Sequence, residues 1–62
     1  MFIEVHKYDG KPAMVWVGNI TYFESDPQLE TKSVIHFTNG VLYVQESIHE
    51  ILDLMVQTSL GL

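Results

Sequence analysis

The stretch Val34-Ile35-His36-Phe37-Thr38-Asn39-Gly40-Val41-Leu42-Tyr43-Val44-Gln45-Glu46-Ser47-Ile48-His49-Glu50-Ile51-Leu52-Asp53-Leu54-Met55-Val56 decides how this chain folds. Two apolar runs flank an Asn-Gly pair, which tolerates the positive φ values of a two-residue type I′ turn. That turn sets Phe37 against Leu42 and Ile35 against Val44, four residues on one core face. The opposite face carries Val34, His36 and Thr38 against Gln45, Tyr43 and Val41, a mixture of apolar, aromatic and polar groups. Ser47 followed by Glu50 has the spacing of a capping box, in which each side chain accepts the other residue's backbone N–H. Ile48, Ile51, Leu52, Met55 and Val56 then recur at helical spacing as one stripe. Leu54 lies outside that stripe and widens it beyond the roughly 100° needed to cover a small sheet. The pattern predicts a helix over 48–60, with Glu50 and Asp53 near the positive end of its dipole. Gly61 suits its C-terminal stop.

Upstream, residues 2–8 alternate apolar and polar groups, as in a strand with one buried face. Asp9-Gly10 is a second hairpin dipeptide. A two-residue turn there sets Val5 against Met14 and Ile3 against Trp16 on one face. Glu4 then meets Val15, and His6 meets Ala13, on the other. Lys11-Pro12 could instead lengthen the loop and shift this register by one residue. Pro12 is tolerated at the start of the returning strand, where an N–H can be missing. Residues 13–17 are apolar on both faces, which calls for cover on both sides, by the interior or by a partner. Gly18-Asn19 breaks that run. Residues 20–25 read as a third strand, with Ile20 and Tyr22 opposed to Thr21 and Phe23. Asp26-Pro27 opens a polar loop. The expected architecture is a single α+β domain over 1–62. It is a small, mostly antiparallel sheet of four or five strands (2–8, 13–17, 20–25, 33–38, 41–46) with one C-terminal amphipathic helix packed on one face.

A chain of 62 residues buries only roughly 60% of its unfolded surface and gains from a staple or a partner. It has no Cys, which rules out disulfides and Cys-ligated zinc. With 47% hydrophobic residues, oligomerisation is the remaining aid, and a homo-oligomer is expected. Lys7, Lys11 and Lys32 are the only strong cations against eight acidic residues, for a formal charge of −5. Scattered lysines and the lack of Arg argue against a nucleic-acid partner. The acidic balance favours encounter with basic proteins. Met1-Phe2-Ile3-Glu4 meets a charge at once, unlike a secretory leader. The apolar run Ala13 to Val17 is far short of a membrane span. The expected location is the cytoplasm.

Residue chemistry points away from catalysis. His49 and Asp53 are i, i+4 on a helix face, but His6 and His36 lie on strands, so three ligands do not converge. Glu24, Asp26 and Glu30 lack calcium-loop spacing. Ser47 is explained as an N-cap, and no nucleophile motif or phosphate loop occurs. No catalytic residue, cofactor or metal ligand is assigned. The contact candidates are Trp16, Val15 and Val17 on the two-sided strand, the cross-strand pair His36 and Tyr43, and Leu54. Trp16 fits a core or an interface equally well. Tyr22 and Phe23 are further interaction-prone aromatics.

Asp9-Gly10-Lys11-Pro12, Ile20-Thr21-Tyr22-Phe23-Glu24, Val34-Ile35-His36-Phe37-Thr38-Asn39-Gly40 and Tyr43-Val44-Gln45-Glu46-Ser47-Ile48-His49-Glu50-Ile51-Leu52 together resemble the small flagellar proteins of the FlbD/SwrD type. That family has an N-G-K-P-like turn, an I-x-x-I-E strand, a T-N-G hairpin and a V-x-E-S-x-x-E-V helix start. The likeness spans nearly the whole chain. It departs in being acidic and Arg-free, where relatives are more basic near the end. The resemblance implies a non-enzymatic cytoplasmic accessory protein needed for full motility, acting by protein–protein interaction. A weaker likeness is to LytTR-type DNA-binding domains, whose basic contact residues are lacking here. A small phage or mobile-element regulator that binds a host protein is a further reading of the same size and charge.

Overall fold

The computed structural model describes residues 1–60. Gly61, the expected helix stop, lies outside them. Five strands and one helix follow in order: β1 (Phe2–His6), β2 (Pro12–Trp16), a 3-10 turn (Val17–Asn19), β3 (Ile20–Ser25), β4 (Ser33–Phe37), β5 (Gly40–Val44) and α1 (Ile48–Ser59). The class is α+β, all strand pairing is antiparallel, and the C-terminal helix packs on the strands. The strands form two sheets instead of one, β1-β2 and β3-β4-β5. They meet at one corner, where Lys7 bridges Val44 and the Gln45 N–H donates to the His6 carbonyl at 2.8 Å.

The first hairpin takes the longer loop. Ile3 faces Val15, Val5 faces Ala13 and Phe2 faces Trp16. Lys7 N–H donates to Lys11 O and Gly10 N–H to Lys7 O, both at 2.9 Å. Tyr8, Asp9 and Gly10 therefore make a three-residue loop, with Gly10 at φ 87°. A left-handed glycine at that position belongs to such loops. The shift of one residue exchanges the faces. Val15 joins Ile3 and Val5 in the core, while Met14 and Trp16 turn outward at 59% and 45% exposure.

The second hairpin slides by two residues. Phe37 faces Gly40 and Ile35 faces Leu42, so Thr38-Asn39 forms the turn. Thr38, Asn39 and Gly40 all keep negative φ, and the type I′ turn is not used. A two-residue slide leaves every side chain on its own face. Ile35, Phe37, Leu42 and Val44 accordingly pack into or against the core. Residue 21 is an extra residue in β3: Ile20 pairs with Phe37 and Tyr22 with His36. The bulge separates Ile20 from Tyr22, which the alternation had placed together. Ile20 and Phe23 pack on the core and Tyr22 is exposed.

Ser47 Oγ accepts the Glu50 N–H, and Glu50 Oε1 accepts the Ser47 N–H, completing the capping box. The helix rests on β1 and β3. Ile51 is fully buried, with Leu54 and Met55 packed beside it. Leu52 and Val56, assigned to the stripe from spacing, are exposed. A helix needs only one sector to cover a sheet, and contact with two strands from different sheets selects the Leu54 edge. The buried core is Ile3, Val5, Val15, Ile35, Val44 and Ile51. Ser33 is fully buried, and its Oγ has no hydrogen-bond partner among the described residues.

Candidate interaction surfaces

The outer face of β3-β4-β5 carries a row of ordered rings. Tyr22 stacks on His36 with centroids 4.1 Å apart and planes at 9°. The bulge at residue 21 produces that pairing. His36 Nε2 lies 2.7 Å from Glu24 Oε2. Tyr43 does not oppose His36 as a type I′ register requires. It opposes Val34 and meets the edge of Tyr8 at 5.7 Å. The Tyr8 hydroxyl donates to Asp26 Oδ2 at 2.5 Å, and the Lys32 ammonium lies 4.8 Å from the Tyr8 ring centroid. Glu24, Asp26, Gln28, Val34, His36 and Tyr43 line an open groove on this face.

The carboxylate of Asp26 organises the polar loop. Its Oδ1 accepts the Gln28 N–H at 2.9 Å, a local bond typical of Asp in turns. The Asp26 N–H donates to Lys32 O at 2.9 Å. The bond from Tyr8, with that from Gln28, holds the Asp26 carboxyl below its usual range. Burial and the same contact push the Tyr8 hydroxyl up to about 12. Of the acidic residues near this loop, Asp26 is thus a structural cap, while Glu24 stays half-exposed beside His36.

A second surface covers the outer face of β1-β2. Phe2 and Trp16 meet edge to face at 5.0 Å, with Met14 next to them on β2; exposure runs from 45% to 59% across the three. Trp16 is held on its other side by Gly18: a Cβ built there would stand 2.7 Å from the indole Nε1. Among the contact candidates named from sequence, Trp16 and Tyr43 are exposed. Val17, His36 and Leu54 are half-buried, and Val15 is core. Val17 and Leu54 pack against the core as well. The structure brings Tyr43 and His36 onto one face and Trp16 onto the other sheet. Met14 was missed because a two-residue turn places it on the core face; Phe2 shares the outer face of β1 with Glu4 and His6 in either register, and only its edge contact with Trp16 marks it.

The third feature is a cleft between β1 and α1, lined by Glu4, His6, Glu46, Glu50, Asp53, Leu54 and Gln57. Glu46 grips His6 twice, through the backbone N–H at 2.8 Å and through ring Nδ1 at 2.7 Å. Glu4 Oε2 lies 3.8 Å from the other ring nitrogen. The bond to Glu46 raises the His6 pKa above 6.5. No local spacing announces a contact across forty positions of chain. Among the described residues, no three His, Asp or Glu side chains stand close enough to share a metal ion, and no helix is long and apolar enough to cross a membrane. Compared with family models, curated proteins and solved structures, the chain matches none of them.

Proposed function

We propose that this chain is a non-enzymatic accessory protein that holds a protein partner on the outer face of β3-β4-β5. Its setting, on this reading, is the one implied by the resemblance to FlbD/SwrD-type proteins: the cytoplasm of a flagellated bacterium. One observation carries the reading, the fixed aromatic row of Tyr22, His36, Tyr43 and Tyr8. Rings already locked by their neighbours lose little entropy on binding, and Tyr is a frequent anchor at hot spots. The partner is a protein with a basic, Arg-bearing surface. Tyr faces attract guanidinium groups, Glu24 stands half-exposed beside the stacked pair, and the chain's charge of −5 steers cationic partners toward it.

Deleting the gene should impair swimming, and a strain carrying Tyr22→Ala with Tyr43→Ala should swim as poorly while its protein stays folded. Loss of one such anchor costs more than about 1 kcal/mol of binding. Normal swimming of the deletion strain in a flagellated host would sink the flagellar setting.

A further inference from the structure

We infer that two copies of this chain pair edge to edge through β2, in an antiparallel, two-fold arrangement centred on Met14. This goes beyond the partner surface proposed above and uses the other sheet.

The direction of the backbone groups carries the argument. Val17 N–H donates to Met1 O, and Lys7 N–H donates to Lys11 O. These bonds mark the two ends of the β1-β2 ladder. In an antiparallel pair, bonded and non-bonded residue pairs alternate. Ile3 with Val15 and Val5 with Ala13 are therefore the bonded pairs between. Phe2, Glu4 and His6 on β1, and Pro12, Met14 and Trp16 on β2, direct their N–H and C=O groups away from the hairpin. At His6 those groups are taken by Glu46 and Gln45. On β2 the Trp16 carbonyl caps the 3-10 turn that follows, but no bond from another element takes the Pro12 carbonyl, the two Met14 groups or the Trp16 N–H, among the described residues. An open strand edge of this kind is a template for another strand.

A second β2 fits it in one full-length register. Centred on Met14, each Met14 exchanges both backbone bonds with its copy. Each Trp16 N–H donates to the Pro12 carbonyl of the other chain. Pro12 has no N–H to offer, and in this register its carbonyl is the group required. The same pairing joins Phe2, Met14 and Trp16 of both copies into one apolar surface, with each Trp16 beside the other copy's Pro12. Trp16 is already fixed by Phe2 and Gly18, so little ordering is required on association.

The area sets the strength. Aromatic side chains bury roughly 150–250 Å² each, and these residues are about half exposed. The three residues of both copies thus supply at most on the order of 600 Å², since their outer faces stay open, against about 1,600 Å² for a standard interface. A reversible dimer follows, weaker than the roughly micromolar limit of standard-sized interfaces, so association is sought from about 10 μM to 1 mM.

The full chain, followed by light scattering across that range, should rise from the monomer mass toward twice that value. Met14→Lys, which places a charge on the open edge, should stay monomeric with an unchanged circular dichroism spectrum. Met14→Cys tests the register directly. Facing residues in a bonded antiparallel pair have Cα atoms about 5.5 Å apart, within disulfide reach, and the chain has no other Cys. Mild oxidation should link Met14→Cys at least tenfold faster than Val41→Cys, an exposed position on the other sheet. A wild-type chain that stays monomeric to 1 mM would overturn the dimer. Equal linking rates would overturn the β2 edge as its site. Neither outcome depends on motility, so each is separable from the flagellar reading.

Discussion

The two hairpins of this molecule start from the same kind of signal and differ in how it was obeyed. Each has a glycine after Asp or Asn, and each is flanked by apolar strands. At Asp9-Gly10 the loop has three residues and the glycine is left-handed at φ 87°. At Asn39-Gly40 the turn moves one residue earlier, to Thr38-Asn39, and Gly40 enters β5 opposite Phe37. The first change moves the register by one residue and exchanges the faces of β2 relative to a two-residue turn. The second moves it by two and exchanges nothing. A turn dipeptide thus locates a hairpin without setting its register, and the parity of the slip decides whether the core survives the difference.

Charging the two faces of β2 in turn should separate its two possible registers by the largest effect. Val15→Lys should unfold the protein, since Val15 is 5% exposed and an unpaired buried charge costs about 3 kcal/mol or more. At roughly 0.05–0.15 kcal/mol per residue, the whole fold is worth only about 3–9 kcal/mol. Met14→Lys should stay within about 0.5 kcal/mol of wild type. Urea unfolding checks both, and the opposite ranking would restore the two-residue turn and its register.

A smaller effect separates the two glycines. Gly10→Ala should lose about 1–2 kcal/mol, the cost of a left-handed residue with a Cβ. Gly40→Ala should change stability little, or raise it by up to about 1 kcal/mol. Its φ is not positive and a Cβ there meets nothing within 4 Å. Equal losses at the two sites would show that Gly40 also occupies a left-handed turn.

The smallest effect lies at the corner where the first hairpin meets the second sheet. The folded pKa of His6 is raised above 6.5 by Glu46. Its contribution is therefore fully present below about pH 6.5 and is lost as pH rises through the folded value. Groups facing the ring are Glu46 and Glu4, with Glu50 and Asp53 across the cleft. The urea midpoint of wild type should fall between pH 5.5 and 8.5 by more than that of Glu46→Gln. Identical slopes in the two proteins would remove His6 from the linkage between the sheets.

Much of the architecture was readable because its signals are local. The capping box needs only residues three apart, and Ser47 and Glu50 form it as their spacing implies. Five strands and a C-terminal helix follow from alternation, turn residues and helical spacing. What was not readable depends on parity or on distance in the chain. The bulge at residue 21 adds one residue to β3 and reverses the side of Tyr22 relative to Ile20. The proposed partner surface was legible in part. His36 and Tyr43 were placed on the outer face, but Tyr22 and Tyr8 reach them only through the bulge and the fold of the first loop.

By itself the sequence determined the order and type of the elements, the helix start, and an acidic, cysteine-free chain short of core. Those properties reside in neighbouring residues and in composition, so they hold before any long-range contact forms. Tertiary structure alone decided the division into two sheets, the rotation of α1 onto Ile51 and Leu54, and the faces on which Trp16 and Tyr22 emerge. Each is a choice between arrangements that satisfy the same local pattern nearly equally. Packing breaks the tie, because apolar side chains gain from burial only where another element is present to cover them.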